Sequence, residues 1–333
     1  MTAVVAVLLM ILKSLIVCSL LLGLFAYLTF LERKILARFQ FRPGPNRVGP
    51  FGLLQPLADG IKMALKEEII PKEADFLLFL IAPAISLVVA FMAFAVIPWG
   101  QPMHVFGQVV PMQIFSPNVG VLYVLALTSL GVYGITFGGW ASQSKYAVMG
   151  SLRATAQMIS YELAMGLAIT GVLLMAGSAN VNRIITAQDG LWFFIPQILG
   201  FLVYLISGVA ETNRAPFDLV EAESELVAGY FTEYTGMKWA MYMMAEYVNM
   251  VTFSSLAATL FFGGWHGLGF LPWIPGIVWY LVKLALFIFV FMWIRATLPR
   301  LRYDRLMNFG WKVLLPVAVL NALGTAVFVS HVL

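Results

Sequence analysis

Apolar residues run along this chain in long unbroken blocks, without the period of two or of 3.6 that a half-buried strand or helix shows. Blocks of about 20 such residues are enough for a helix to cross a hydrocarbon core of about 30 Å. They lie at 4–30, 76–98, 119–139, 154–177, 191–210, 239–262, 275–297 and 311–331. The pattern predicts an all-α polytopic membrane protein with about eight transmembrane helices. The first block is too long for a signal-peptide core and has neither a basic start nor a small-residue cleavage site, so it reads as a retained helix. Neither an internal repeat nor a domain-sized polar segment is visible, and residues 1–333 read as a single helical membrane domain.

One segment has a different rhythm. From Phe51 to Glu68, Leu53, Leu54, Leu57, Ile61, Ala64 and Leu65 follow helical spacing, with Gln55, Asp59, Lys62 and Lys66 on the other faces. This predicts an amphipathic helix, about 51–68, lying on the membrane surface. Arg42 to Pro50, R-P-G-P-N-R-V-G-P, precedes it and forms a stiff turn carrying two guanidiniums. Turn and helix serve either as a peripheral anchor or as the lip of an opening through which an amphiphile enters from the bilayer.

Composition agrees with the pattern: 61% of residues are hydrophobic and 11% charged, and the mean hydropathy is +0.91. Sorted by loop, the basic residues bunch on one side. Arg33 to Lys72, Lys145, Arg153, Arg214, Lys238 and Arg300 to Arg305 follow odd-numbered spans, whereas the even-numbered loops carry only Arg183. The odd loops are therefore cytoplasmic and both termini face the outer side. Cys18 stands alone, which excludes a cysteine-held iron–sulfur cluster or structural zinc made by this chain. His104, His266 and His331 fall in outer segments, where no pair can hold a haem at mid-membrane, and no nucleotide-binding glycine loop follows a strand.

Chemistry concentrates in the carboxylates. The stretch from Glu211 to Tyr234, taken as a cytoplasmic acidic loop of about 211–238, holds Glu211, Asp218, Glu221, Glu223, Glu225 and Glu233 against one base, Arg214. Interleaved Phe217, Leu219, Val220, Leu226 and Tyr230 require burial, so the loop is expected to fold into protein. Carboxylates about 6 Å apart repel by about 3 kcal/mol at an effective dielectric near 20, so such a cluster shares protons. Glu162 and Glu246 each fall about eight residues, roughly 12 Å, into a span from its inner end. Intramembrane carboxylates cost about 2.5 to 3.5 kcal/mol on insertion scales and mark function. A structural salt bridge, with Arg153, Lys13 or Lys283 as partner, is the alternative. Lys13 and Lys283 are expected near mid-membrane. Glu32, at the inner end of the first span, opposes the helix dipole and requires a partner. Gly131, Gly134, Gly138 and Gly139 in the third span read as close helix packing. The wire of acids stops halfway, so partners must complete the path.

Several motifs resemble one family. E-R-K at Glu32–Lys34, R-P-G-P-N-R-V-G-P-F-G-L-L-Q-P-L-A-D-G-I-K at Arg42–Lys62, A-Q-M-I-S-Y-E at Ala156–Glu162, E-T-N-R-A-P-F-D from Glu211, E-A-E-S-E-L-V-A-G-Y-F-T-E-Y to Tyr234 and R-A-T-L-P-R-L-R-Y-D from Arg295 are similar to the quinone-site membrane subunit of respiratory complex I. Val220 and Thr235 depart from common proline and serine in that family, leaving every charged position in place. The resemblance implies a bacterial inner (plasma) membrane protein with both termini periplasmic, and quinone as substrate. It implies no metal on this chain, iron–sulfur clusters and FMN on partner subunits, and assembly with hydrophilic-arm and antiporter-like membrane subunits but no nucleic acid. By motif, Glu32, Arg33, Arg42, Asp59, Arg295 and Arg300 would line the quinone tunnel. Asp218, Glu221, Glu223, Glu225 and Glu233 would belong to the acidic loop, and Glu211, Glu162 and Glu246 to a proton relay. Corresponding subunits of membrane-bound hydrogenases share the resemblance. A stand-alone proton-coupled transporter and a purely structural anchor are the rivals from other classes.

Overall fold

The computed structural model describes residues 2–105, 108–218, 227–267 and 273–332. Helices form at every apolar block: α1 Thr2–Phe39, α2 Gln55–Leu65, α3 Phe76–Phe94, α4 Gly120–Ala141, α5 Lys145–Ala176, α6 Val181–Thr186, α7 Ile198–Glu211, α8 Gly236–Phe261, α9 Gly276–Thr297, α10 Tyr303–Phe309 and α11 Leu315–Val332. A π-helical turn, Gly310–Leu314, joins α10 to α11. The strands are a hairpin of Met103–Val105 with Gln108–Val110, Met103 opposite Val110.

Among the described residues, six helices are long and apolar enough to cross a membrane: those at Met10–Phe39, Phe76–Phe94, Gly120–Ala141, Lys145–Ala176, Gly276–Thr297 and Tyr303–His331. The chain is thus an integral membrane protein. Two of the eight blocks fall short of this standard, for different reasons. Helix α7 has 14 residues, about 21 Å at 1.5 Å per residue. Helix α8 is long enough but carries Lys238, Glu246, Asn249 and several hydroxyl residues.

Helix starts and stops follow local chemistry. Asp75 caps α3 by accepting from the Leu78 amide at 3.3 Å, and Asn180 caps α6 through the amides of Asn182 and Arg183. Helix α5 ends at Gly177, whose φ of 61° lies in the left-handed region open to glycine. It begins at Lys145, well before the apolar block that predicts it. Its added turns bury Ala147 and Ser151 against Gly139 of α4 and Gly150 against the Gly229–Phe231 turn, where a Cβ on Gly150 would meet Gly229 Cα at 2.7 Å. Tertiary burial, which hydropathy does not register, sets that boundary.

Helices α3, α4, α5, α7 and α8 make the centre, and their contact faces hold most of the buried apolar side chains. Three glycines of α4 do more than bring helices together. A Cβ on Gly134, Gly138 or Gly139 would lie 2.1 to 2.2 Å from the hydroxyl of Ser86, Tyr242 or Ser151. Each glycine thereby admits a hydroxyl between helices, and Tyr242 uses the space to donate to Gly134 O at 3.1 Å. At the end of the bundle bearing the basic loops, α2 lies against α1, and the segment after it is held to the start of α8 by Lys238–Glu68 at 3.0 Å. No residue of α2 is buried, and Leu57, Ile61 and Leu65 present an exposed apolar face. At the opposite end Phe194 N donates to Phe261 O at 2.9 Å, closing α7 on α8.

Candidate functional site

The turn after α7 organises the charged groups. Asn213, at a φ of 51°, reverses the chain, a conformation that asparagine tolerates better than most residues. Gln157 of α5, fully buried, fixes the loop by donating to Ala210 O at 2.7 Å and Phe217 O at 2.8 Å. Arg214 is thereby turned back into the bundle, where it is 6% exposed.

There Arg214 bridges two carboxylates. Its Nη1 lies 3.2 Å from Glu32 Oε1 and its Nε 2.7 Å from Glu246 Oε1. The guanidinium also stacks over the Tyr247 ring, 4.2 Å from the centroid. Glu32, 4% exposed, further accepts from the Tyr247 hydroxyl at 2.8 Å and from Arg295 Nη1. One guanidinium per carboxylate is the usual buried arrangement; here two arginines and two glutamates share one knot drawn from α1, the α7–α8 loop, α8 and α9. Each charge is compensated, the condition under which burial of ions is tolerated.

Beside this knot is a cavity of about 40 Å³, with Glu211, Asp218 and Glu246 on its wall together with Tyr242, Asn249 and Thr128. That volume accommodates water, and the polar lining supplies the two to four partners a buried water needs. Glu211 is 2% exposed, and among the described residues neither of its carboxylate oxygens has a hydrogen-bond partner. Glu162 accepts from Ser129, the neighbour of Thr128 on α4, and lies within electrostatic reach of Glu211. Glu211, Glu246 and Asp218 therefore share one chamber, and Glu162 stands just beyond it.

The alternative of a structural salt bridge is met at Glu246, with a different partner. Glu246 pairs with Arg214, not with Lys13 or Lys283. Lys13 donates to Pro111 O and Gln113 O, and Lys283 to Phe262 O, Gly264 O and His266 O. Both lysines therefore reach the end of the bundle opposite the basic loops instead of mid-membrane. These carbonyls lie in loops outside helical hydrogen bonding, so they are free to accept from a nearby ammonium.

A second cluster joins α1 to α2. Arg33 Nη1 lies 2.7 Å from Asp59 Oδ2, Lys62 Nζ lies 3.4 Å from Asp59 Oδ1, and Gln55 donates to Asp59 Oδ1 at 3.0 Å. Partial burial raises the Asp59 carboxyl, but the Gln55 hydrogen bond and the Arg33 and Lys62 charges outweigh it and hold the group below the ordinary carboxylate value. Arg42 donates from Nε to Gln40 Oε1 at 2.7 Å and, with Arg33 and Pro43, lines a surface hollow of about 470 Å³. Arg300 is exposed, apart from both clusters, and Glu233 is half-buried. Glu221, Glu223 and Glu225 lie outside the described residues.

Arg214 and Tyr247 are the site residues that sequence reasoning left unassigned. Arg214 had one signal, as the lone base in an acidic stretch. Tyr247 had none, since a tyrosine in an apolar helix reads as core.

The sequence profile of the family described as NADH dehydrogenase matches residues 12–326. A subunit of the NADH-quinone oxidoreductase of Geobacter metallireducens is 54% identical over 91% of each chain. The corresponding subunit of the Deinococcus deserti enzyme is 55% identical over 96% of this chain and 83% of that protein, and that of the Thermomicrobium roseum enzyme 52% identical over 92% of each.

Proposed function

The chain belongs to the NADH dehydrogenase family, and from that premise we propose how it couples quinone chemistry to proton movement. It is a membrane subunit of proton-pumping NADH-quinone oxidoreductase, an enzyme complex whose complete redox site this chain does not hold. On our reading it sits in the bacterial inner membrane with the basic loops cytoplasmic. Partner subunits bearing FMN and iron–sulfur clusters deliver electrons, and antiporter-like subunits receive the coupling signal.

Quinone, the substrate, enters past the α1–α2 rim, where Arg33, Asp59 and Arg42 cluster, toward Glu32 and Arg295. Arg300 frames the outer part of that route. Reduction draws protons, or shifts negative charge, beside Asp218 and the acidic segment with Glu221, Glu223, Glu225 and Glu233. A change of charge near Glu32 weakens or strengthens its hold on Arg214. Because the same guanidinium holds Glu246, the change is felt at once by the chamber that Glu246 shares with Glu211, and beyond it by Glu162. The observation that carries this reading is the Arg214 bridge, 3.2 Å to Glu32 and 2.7 Å to Glu246. Charge coupling over such distances in a buried site is worth several kcal/mol even at an effective dielectric near 20.

The test is Glu211→Gln in the assembled complex, which keeps the side chain's shape and removes its ionisation. Both NADH:quinone turnover and proton pumping should fall. An assembled Gln variant that pumps at the wild-type ratio and rate would refute the relay.

A further inference from the structure

Outward from the glutamate chamber, toward the end opposite the basic loops, the interior changes character. Glu211 and Glu246 mark the chamber; Tyr204 donates to Phe253 O at 2.9 Å immediately beyond it. Further along, aromatic rings close the space between α7, α8 and α9. Tyr204 and Phe261 have centroids 5.4 Å apart, Phe201 and Phe261 5.3 Å, Phe201 and Phe262 5.4 Å, and Phe262 and Phe287 5.3 Å. Phe201, Tyr204, Phe261 and Phe287 are all buried. Phe201 lies ten residues from Glu211, about 15 Å along α7 at 1.5 Å per residue.

Lys283 caps this plug. Its ammonium donates to Phe262 O at 2.5 Å, Gly264 O at 2.9 Å and His266 O at 2.6 Å, and lies 4.6 Å from the Trp192 ring centroid. Gly263 and Gly264, at φ of 68° and 54°, adopt the left-handed backbone that turns this loop around the ammonium. Lys283 is 8% exposed, and among the described residues it forms no salt bridge. A neutral amide would satisfy such carbonyls at lower desolvation cost. What the ammonium adds is a positive charge at the outer end of this aromatic packing, and a positive charge on a route is one device by which pores exclude protons and cations.

We propose that Lys283 and the aromatic plug form a proton seal, which keeps the outer aqueous phase from the glutamate chamber and so forces charge sideways into partner subunits. The direction "outer" rests on the proposed orientation, but a passive leak is measured without turnover. Its result is therefore independent of whether the glutamates carry the coupling.

The test uses the assembled complex in proteoliposomes enclosing a pH-sensitive dye, with a potassium diffusion potential imposed and no NADH present. Lys283→Gln keeps donors for the carbonyls and removes the charge; its passive proton conductance should rise about tenfold, the lower end of what a focused charge does to local ion concentration. Lys283→Arg should stay at the wild-type level. An assembled K283Q complex as tight as wild type, or K283R leaking as much as K283Q, overturns the proposal. Should K283Q fail to assemble, Phe201→Ser decides: a leak supports the seal and a tight membrane overturns it.

Discussion

Arg214 determines whether two buried glutamates can both be ionised. Glu32 reaches it from 182 positions earlier in the chain, and Glu246 from the next helix. Removing one member of a buried ionic group leaves the others uncompensated, at a typical cost of about 3–5 kcal/mol. Arg214→Met should therefore lower the thermal unfolding midpoint of the solubilised complex and abolish quinone-driven pumping. Arg214→Lys, a point charge without the forked geometry that spans both carboxylates, should recover part of the stability and little of the coupling. The position was legible only as a lone base among acids. Its partners come from helices far away in sequence, and no local pattern encodes which carboxylate a loop arginine will meet.

Among the elements, α2 is tied to α1 by Asp59, which pairs with Arg33 of α1 while also taking Lys62 and Gln55 of its own helix. Since the folded carboxyl titrates below its ordinary value of 3.8, its contribution is fully present above that value and fades as pH falls through the folded one. Amide hydrogen exchange in α2, corrected for intrinsic rate, should accelerate over that acidic window, and Asp59→Asn should show the faster exchange at neutral pH. Helical spacing of Leu53, Leu57, Ile61 and Leu65 predicts a helix here, and the one that forms is shorter, Gln55–Leu65 and not 51–68. The early start of α5 was not legible, because Lys145 and Arg153 bracket a short segment whose Ala147, Gly150 and Ser151 are buried only once Gly139 of α4 and the Gly229–Phe231 turn pack against it. The glycines of α4 likewise read as packing, and only the neighbouring helices reveal that they make room for hydroxyls.

For the whole molecule, the orientation carries its own test. If the basic loops are cytoplasmic, both termini are outer, and a cysteine replacing the exposed Ser330 in a Cys18→Ser background should react with a membrane-impermeant maleimide in intact spheroplasts. In inverted vesicles it should resist. The opposite labelling pattern would reverse the assignment of sides and with it the direction of the proposed seal. What the sequence determined by itself was the class of protein and where its helices run, because hydropathy over about 20 residues is a local sum that needs no partner. It also singled out Glu162, Glu211 and Glu246, since a carboxylate in an apolar block is conspicuous wherever it points. Tertiary structure alone decided that Lys13 and Lys283 turn to backbone carbonyls at one end while Arg214 serves the acids at the other. The physical reason is range: Coulomb and hydrogen-bond energies depend on a few ångströms of separation between side chains, and those distances are fixed by how helices pack, not by their order along the chain.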